Sequence, residues 1–180
     1  MNEEHNSHVT AVIIAEGAVF AALVAVATFL FVIPIPATTG YFNLGETIIY
    51  IAALLFGPFV GAFAGGGASI ADILVPGGAI FAPGTLVIKA LEGFTVGFLN
   101  NKLKQKTKSL TLSATVSVVL GGLIMIFGYF TYEVVVLDFP LLQALGEVPF
   151  NIAQMSIGLI VAVPIMHAVL RVVPQLKSRI

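Results

Sequence analysis

Long apolar stretches, broken by short polar, glycine-bearing or proline-bearing punctuation, dominate the chain, and their lengths predict six membrane-crossing helices. The first span covers Val9 to Ile33 and stops at Pro34-Ile-Pro36, where the prolines end a helix and open a loop to Gly45. A short second span, Glu46 to Phe56, turns through Gly57-Pro58 straight into the third, Phe59 to Val75. Pro76-Gly-Gly78 and Pro83-Gly84 mark a second loop ahead of the fourth span, Thr85 to Asn101. A lysine-bearing segment, Asn101 to Ser109, leads to the fifth span, Leu110 to Tyr132. A third loop holds Glu133, Asp138 and Pro140, and the sixth span covers Gly146 to Val172. Gly57, Gly61 and Gly65 in and before the third span, and Gly93 and Gly97 in the fourth, recur four apart, the spacing that lets helix backbones approach closely in lipid. The sequence carries no internal repeat, so an inverted-repeat carrier is not supported.

Composition sharpens this to an all-α integral membrane protein. Hydrophobic residues make up 58% of the chain and charged ones 9%, with a mean hydropathy of +1.06. A soluble domain carries about 25% charged residues and needs them to face water. The expected organisation is one membrane domain over residues 1–180: a polar tail at 1–8, a six-helix bundle at 9–172 and a basic tail at 173–180. The acidic N-terminus lacks the basic region of a secretory signal, so the first span reads as a retained helix. Cysteine is absent, which excludes disulfides and thiolate metal sites. His5 and His8 fall in the polar tail, away from His167, so no metal site and no cofactor are expected.

Basic residues set the orientation. Of eight Lys and Arg, seven lie at 102–108 or from Arg171 onward, which six spans place on one side. The positive-inside rule makes that side cytoplasmic, with both termini there and the loops at 34–45, 76–84 and 133–145 outside. The eighth, Lys89, sits inside the fourth span with Glu92 three residues on. Asp72 closes the third span, Glu46 opens the second, and Glu147, Asn151 and Gln154 form one stripe of the sixth. All of these map to the outer half. Charges in hydrocarbon are costly and turn inward to find partners, so the clustering describes a polar cavity open to the outside. The plainer account of Lys89 is an ion pair with Asp72 or Glu92 that staples spans 3 and 4. That account does not extend to Asn151 and Gln154. Glu16, in the inner half of span 1, stands apart from the cluster.

Several functions are excluded by what is missing. The chain has no phosphate-loop motif for ATP hydrolysis, no nucleophile elbow and no HExxH. No catalytic residues are therefore named. The lysines at 102–108 form a short loop that serves as a topology determinant and not a nucleic-acid surface.

The residues now in view resemble the substrate-binding S components of energy-coupling factor (ECF) vitamin transporters. The resemblance rests on Tyr41-Phe-Asn-Leu-Gly-Glu46, on Leu55-Phe-Gly-Pro-Phe-Val-Gly61 leading to Ala71-Asp-Ile-Leu74, on Thr85-Leu-Val-Ile-Lys-Ala-Leu-Glu-Gly93, and on Val148-Pro-Phe-Asn151 with Gln154. In order, in a six-span chain of this length, the pattern is closest to the branch with hydroxymethylpyrimidine and pyridoxine S components, often labelled riboflavin-type. The resemblance implies a multi-pass protein of the prokaryotic plasma membrane that binds one vitamin or precursor at its outer side. It implies partners too: a transmembrane coupling subunit and two ATPases that hydrolyse ATP on its behalf. Docking in that family uses small residues on the first helix, and Ala11, Ala15, Ala18 and Ala22 stand in that pattern here. The candidate substrate-binding set is Tyr41, Asn43, Glu46, Asp72, Lys89, Glu92, Glu147, Asn151 and Gln154, with Tyr41, Phe81, Tyr129 or Phe150 available to stack on a ring. The expected site lies between the outer halves of spans 4, 5 and 6, under the Pro34–Gly45 loop as a lid. Alternatives are an S component for riboflavin or another heterocycle, and a self-contained small-solute carrier or channel.

Overall fold

In the computed structural model, which describes residues 2–36 and 38–178, six α-helices run in sequence: α1 (Asn2–Leu30), α2 (Gly45–Phe56), α3 (Pro58–Leu74), α4 (Ala82–Thr107), α5 (Leu110–Val135) and α6 (Leu141–Val172). α1, α4, α5 and α6 are long and apolar enough to cross a membrane, whereas α2 and α3 are shorter. At about 1.5 Å per residue, the 12 residues of α2 reach only about 18 Å. The first helix begins at Asn2, inside the stretch expected to be a polar tail, and ends at Leu30 rather than Ile33. The side chains of His5, His8 and Lys177, and all of Arg179, lie outside the described residues.

Two further boundaries differ from the sequence reading. α4 continues through the lysine segment to Thr107 and stops where Lys108 adopts φ 53°, so the expected basic loop shrinks to one turn. Lysine is a good helix former and sits favourably at a helix C-terminus, which explains the extension. α5 continues to Val135, so Glu133, expected in a loop, is helical and fully buried. The Pro34–Gly45 loop is more ordered than expected: β1 (Ile33–Pro34) and β2 (Tyr41–Phe42) pair antiparallel, Ile33 with Phe42 and Pro34 with Tyr41.

The joints follow from local chemistry. Gly57 takes φ 89°, a conformation that glycine adopts freely, and Pro58 opens α3 where its missing N–H is no loss. Ser109 caps α5, its hydroxyl accepting from Leu112 N at 3.3 Å. The glycines act as their spacing predicts. A Cβ on Gly61 would strike the Gly93 carbonyl, one on Gly65 the Lys89 carbonyl, and one on Gly97 would come within 2.6 Å of Pro58 N. Close α3–α4 packing depends on their absence. α3 also packs on α1, α5 on α4 and α6, and α2 sits among α1, α3, α4 and α6.

Polarity is distributed as lipid demands. Phe29, Leu30, Phe127 and Ile160 are exposed on the outside, while Glu46, Asp72, Lys89, Glu92, Glu133 and Glu147 are buried within the bundle.

Candidate functional site

At the end of the bundle away from the lysines at 102–108, the β1–β2 ribbon folds over a cavity of about 370 Å³. The ribbon and the turn after it supply Gly40, Tyr41 and Asn43; α3 supplies Asp72; α4 supplies Thr85 and Lys89; α5 supplies Tyr129; α6 supplies Glu147, Asn151 and Gln154; Phe81 comes from the turn before α4. A larger groove, about 1080 Å³, lies between α4 and α5 along Val87, Ile124, Phe127 and Val135. Its walls are apolar apart from Thr131 and Tyr132, so it offers a polar heterocycle almost nothing to bond.

Each side chain has a reason to be where it is. Thr85 and Lys89 are four apart on α4, with Glu92 three further on, so one face carries all three. Glu147, Asn151 and Gln154 form the matching stripe of α6, and all three are buried. The ribbon is tied to both walls. Thr38 donates to Glu147 Oε1, Tyr41 donates its phenol proton to Asp72 Oδ1, and Asn43 N donates to Gln154 Oε1 at 3.3 Å. Gly40 N bonds Thr38 Oγ1 at 3.0 Å, and a Cβ on Gly40 would collide with the Glu147 carboxylate. A side chain at position 40 would therefore displace the Glu147 carboxylate from its place beside Thr38. Burial first, then the Asp72 charge and their hydrogen bond, push the Tyr41 phenol up, so it stays a donor.

Seven of the nine expected substrate-binding residues line the cavity: Tyr41, Asn43, Asp72, Lys89, Glu147, Asn151 and Gln154. Glu46 and Glu92 do not. They lie one layer deeper and hold Lys89: its ammonium pairs with Glu46 and stands 3.4 Å from Glu92. Glu92 also accepts from Tyr50 Oη at 2.8 Å. Lys89 is therefore both a wall of the cavity and a buried ion pair, and its partner on the neighbouring helix is Glu46 of α2 rather than Asp72. Of the stacking candidates, Tyr41, Phe81 and Tyr129 reach the cavity and Phe150 does not line it.

Sequence reasoning missed three contributors. Thr85, hydrogen-bonded to Tyr129 Oη at 2.9 Å, was legible as the residue one turn before Lys89. Tyr50 was hidden in an apolar run. Glu133 faces the Glu147 carboxyl from α5 and is fully buried; its place four residues after Tyr129 was the available signal. The alanines expected to dock a partner, Ala11, Ala15, Ala18 and Ala22, all lie exposed on α1. α1 meets α3 through a different face, where Gly17 lies against Phe63 and Gly67 against Ala21.

Known proteins place this geometry in context. The family described as "ECF-type riboflavin transporter, S component" matches residues 8–171. A Pyrococcus woesei protein, described as an "Uncharacterized protein in gap 3'region", is 44% identical over 108 residues, which is 59% of this chain and 68% of that protein.

Proposed function

This chain belongs to the family of S components of ECF-type riboflavin transporters, and from that premise we propose that it captures a flat heterocyclic vitamin in the cavity under the β1–β2 ribbon and delivers it inward. As a family member it is a multi-pass plasma-membrane transport subunit and not an enzyme. The family description favours riboflavin or a related heterocycle over the hydroxymethylpyrimidine or pyridoxine substrate that the sequence resemblance put first. The observation that carries the site assignment is convergence. Residues from the ribbon and four helices, polar groups and aromatic rings alike, meet in one cavity at the end opposite the lysines at 102–108. Phe81 and Tyr129 offer ring faces, and Asn151, Gln154 and Asp72 offer groups that fix orientation.

The exposed Ala11–Ala22 face of α1 suits a transmembrane coupling subunit, itself joined to two ATPases, because small residues let a partner helix approach closely. Ala15→Leu or Ala18→Leu is expected to weaken copurification with that subunit and leave ligand affinity unchanged; normal assembly of both variants overturns the docking face. With no native cysteine, single cysteines at Thr38 and Lys106 report the orientation, and the expected result is that only the first is labelled from outside. The function itself is tested by calorimetry with riboflavin and by mass spectrometry of ligand extracted from the purified protein. Ion conduction by the chain alone in liposomes would instead support a channel.

A further inference from the structure

Six buried side-chain oxygens make no hydrogen bond among the described residues: Glu46 Oε1, Asp72 Oδ2, Glu92 Oε2, both Glu133 oxygens and Asn101 Oδ1; of these, Glu92 Oε2 is ion-paired with Lys89. Five of them belong to carboxyls at the cavity end of the bundle. Asp72 is 4% exposed, lines the cavity, and spends its other oxygen on the Tyr41 hydroxyl. Glu147, also in the wall, already accepts from Thr38 and faces the buried carboxyl of Glu133. Against these five carboxyl side chains (Glu46, Asp72, Glu92, Glu133 and Glu147) the described part of the cavity end sets one ammonium, that of Lys89. That ammonium is engaged. Glu46 pairs with it, Met125 Sδ lies 2.7 Å away, and Glu92 Oε2 lies at 3.4 Å, which occupies the surroundings of its three N–H bonds.

From this imbalance we infer that the site takes a ligand presenting hydrogen-bond donors, neutral or cationic, and excludes the phosphorylated or carboxylated form of the same heterocycle. The inference rests on the proposed vitamin-binding role and adds the chemical class of ligand. Of the oxygens without a hydrogen bond, Asp72 Oδ2 belongs to the cavity wall, and a ligand that displaces water from the cavity must return to it the donor the water gave. An N–H facing Asp72 Oδ2 does so, and an O–H can be shared between Glu147 and Asn151. A phosphate ester brings more acceptors and a negative charge against the two wall carboxyls, Asp72 and Glu147, beside a lysine already neutralised by the Glu46 and Glu92 behind it. A carboxyl that holds its own proton still offers a phosphate no positive charge. Specificity of this kind works by penalising the wrong ligand rather than by adding contacts to the right one.

The test is calorimetry on the purified full chain with three pairs: riboflavin, pyridoxine and aminohydroxymethylpyrimidine, each beside its phosphate ester. The unphosphorylated member of at least one pair is expected to bind, with its ester roughly 100-fold weaker or worse. The double variant Asp72→Asn, Glu147→Gln is expected to narrow that ratio by roughly tenfold, because it removes the repulsion. A cavity that was merely damaged would lose both members equally. Equal or tighter binding of the ester, or a ratio the double variant does not move, overturns the inference. Mass spectrometry of extracted ligand separates the two readings. An anionic vitamin overturns the inference and spares the function; a donor-rich compound that is no vitamin does the reverse. If no pair binds and no ligand is extracted, both fall.

Discussion

At the inner end of the bundle, α4 and α5 bury Asn100, Ser113 and Ser117 side by side, and each is satisfied. Asn100 Nδ2 reaches the Leu54 carbonyl at 3.5 Å, Ser113 Oγ donates toward Asn100 O at 2.9 Å and Oδ1 at 2.8 Å, and Ser117 Oγ donates to Ser113 O at 2.7 Å. At the outer end, Asp72, Glu46 and Glu133 are buried nearly as deeply and keep oxygens without a partner among the described residues. Both ends carry polar groups where lipid-facing helices avoid them. Asn100, Ser113 and Ser117 are small, neutral and bonded to one another or to backbone, as helix packing favours, although Asn101 Oδ1 beside them stays open. The outer ones are charged, larger and only partly paired, and they surround a cavity under a ribbon. A buried polar group left incomplete costs free energy and persists where function returns the missing partner.

Lys89 is where the comparison is most easily broken, since it both lines the cavity and carries a buried ion pair. Lys89→Met would leave Glu46 and Glu92 buried without their cation. Removing one partner of a buried ion pair costs about 3–5 kcal/mol. A large fall in Tm in detergent and loss of ligand binding are expected together. Retained stability would mean that the two carboxylates carry no charge needing Lys89, and that its role is in the cavity alone.

Asn151→Ala sharpens the contrast, for Asn151 is 6% exposed, lines the cavity and has no side-chain hydrogen bond to the other described residues. If its amide serves the ligand, removing it costs about 1–3 kcal/mol of binding. That corresponds to roughly tenfold or more in Kd at about 1.4 kcal/mol per decade, with Tm nearly unchanged. Calorimetry beside a thermal melt reads both. A fall in Tm with unchanged Kd would transfer Asn151 to the structural class.

How far this contrast was legible before the structure depended on the period of the pattern. Hydrophobic spans and the i, i+4, i+7 stripe of Glu147, Asn151 and Gln154 need only helical geometry, and they account for five of the seven expected residues that line one cavity, Tyr41 and Asn43 coming from the loop. Tertiary depth was not legible. Glu46 and Glu92 carry the same chemistry as Asp72, and only the packing of α2 between α4 and α6 sends them behind the wall. Glu133 was misread because Tyr132-Glu133 looked like the end of an apolar run, whereas α5 simply continues with Glu133 turned inward. The β1–β2 ribbon was hidden because Pro34 and Pro36 signal a loop and two-residue strands leave no periodicity to read.

The smallest effect on ligand binding is expected at the inner end, and it is the control for the whole comparison. Ser113→Ala removes the hydroxyl that donates toward Asn100 O and Oδ1. Ser113 is fully buried, so no water replaces the lost donor, and Asn100 Oδ1 becomes an orphaned acceptor like those at the outer end. The expected loss is about 1–3 kcal/mol of stability, seen as a lower Tm. Ligand affinity should not change, because Asn100 and Ser113 lie near the C-terminus of α4 and the N-terminus of α5, while Thr85, Lys89 and Tyr129 line the cavity from the opposite ends of the same helices. Crossing this variant with Asn151→Ala makes the test strict. Sites this far apart with no shared partner add within about 0.5 kcal/mol, so the double variant should show the Tm of one and the Kd of the other. A Kd that moved with Ser113→Ala would show that the inner cluster and the cavity are energetically one unit, and the division between packing end and binding end would fail.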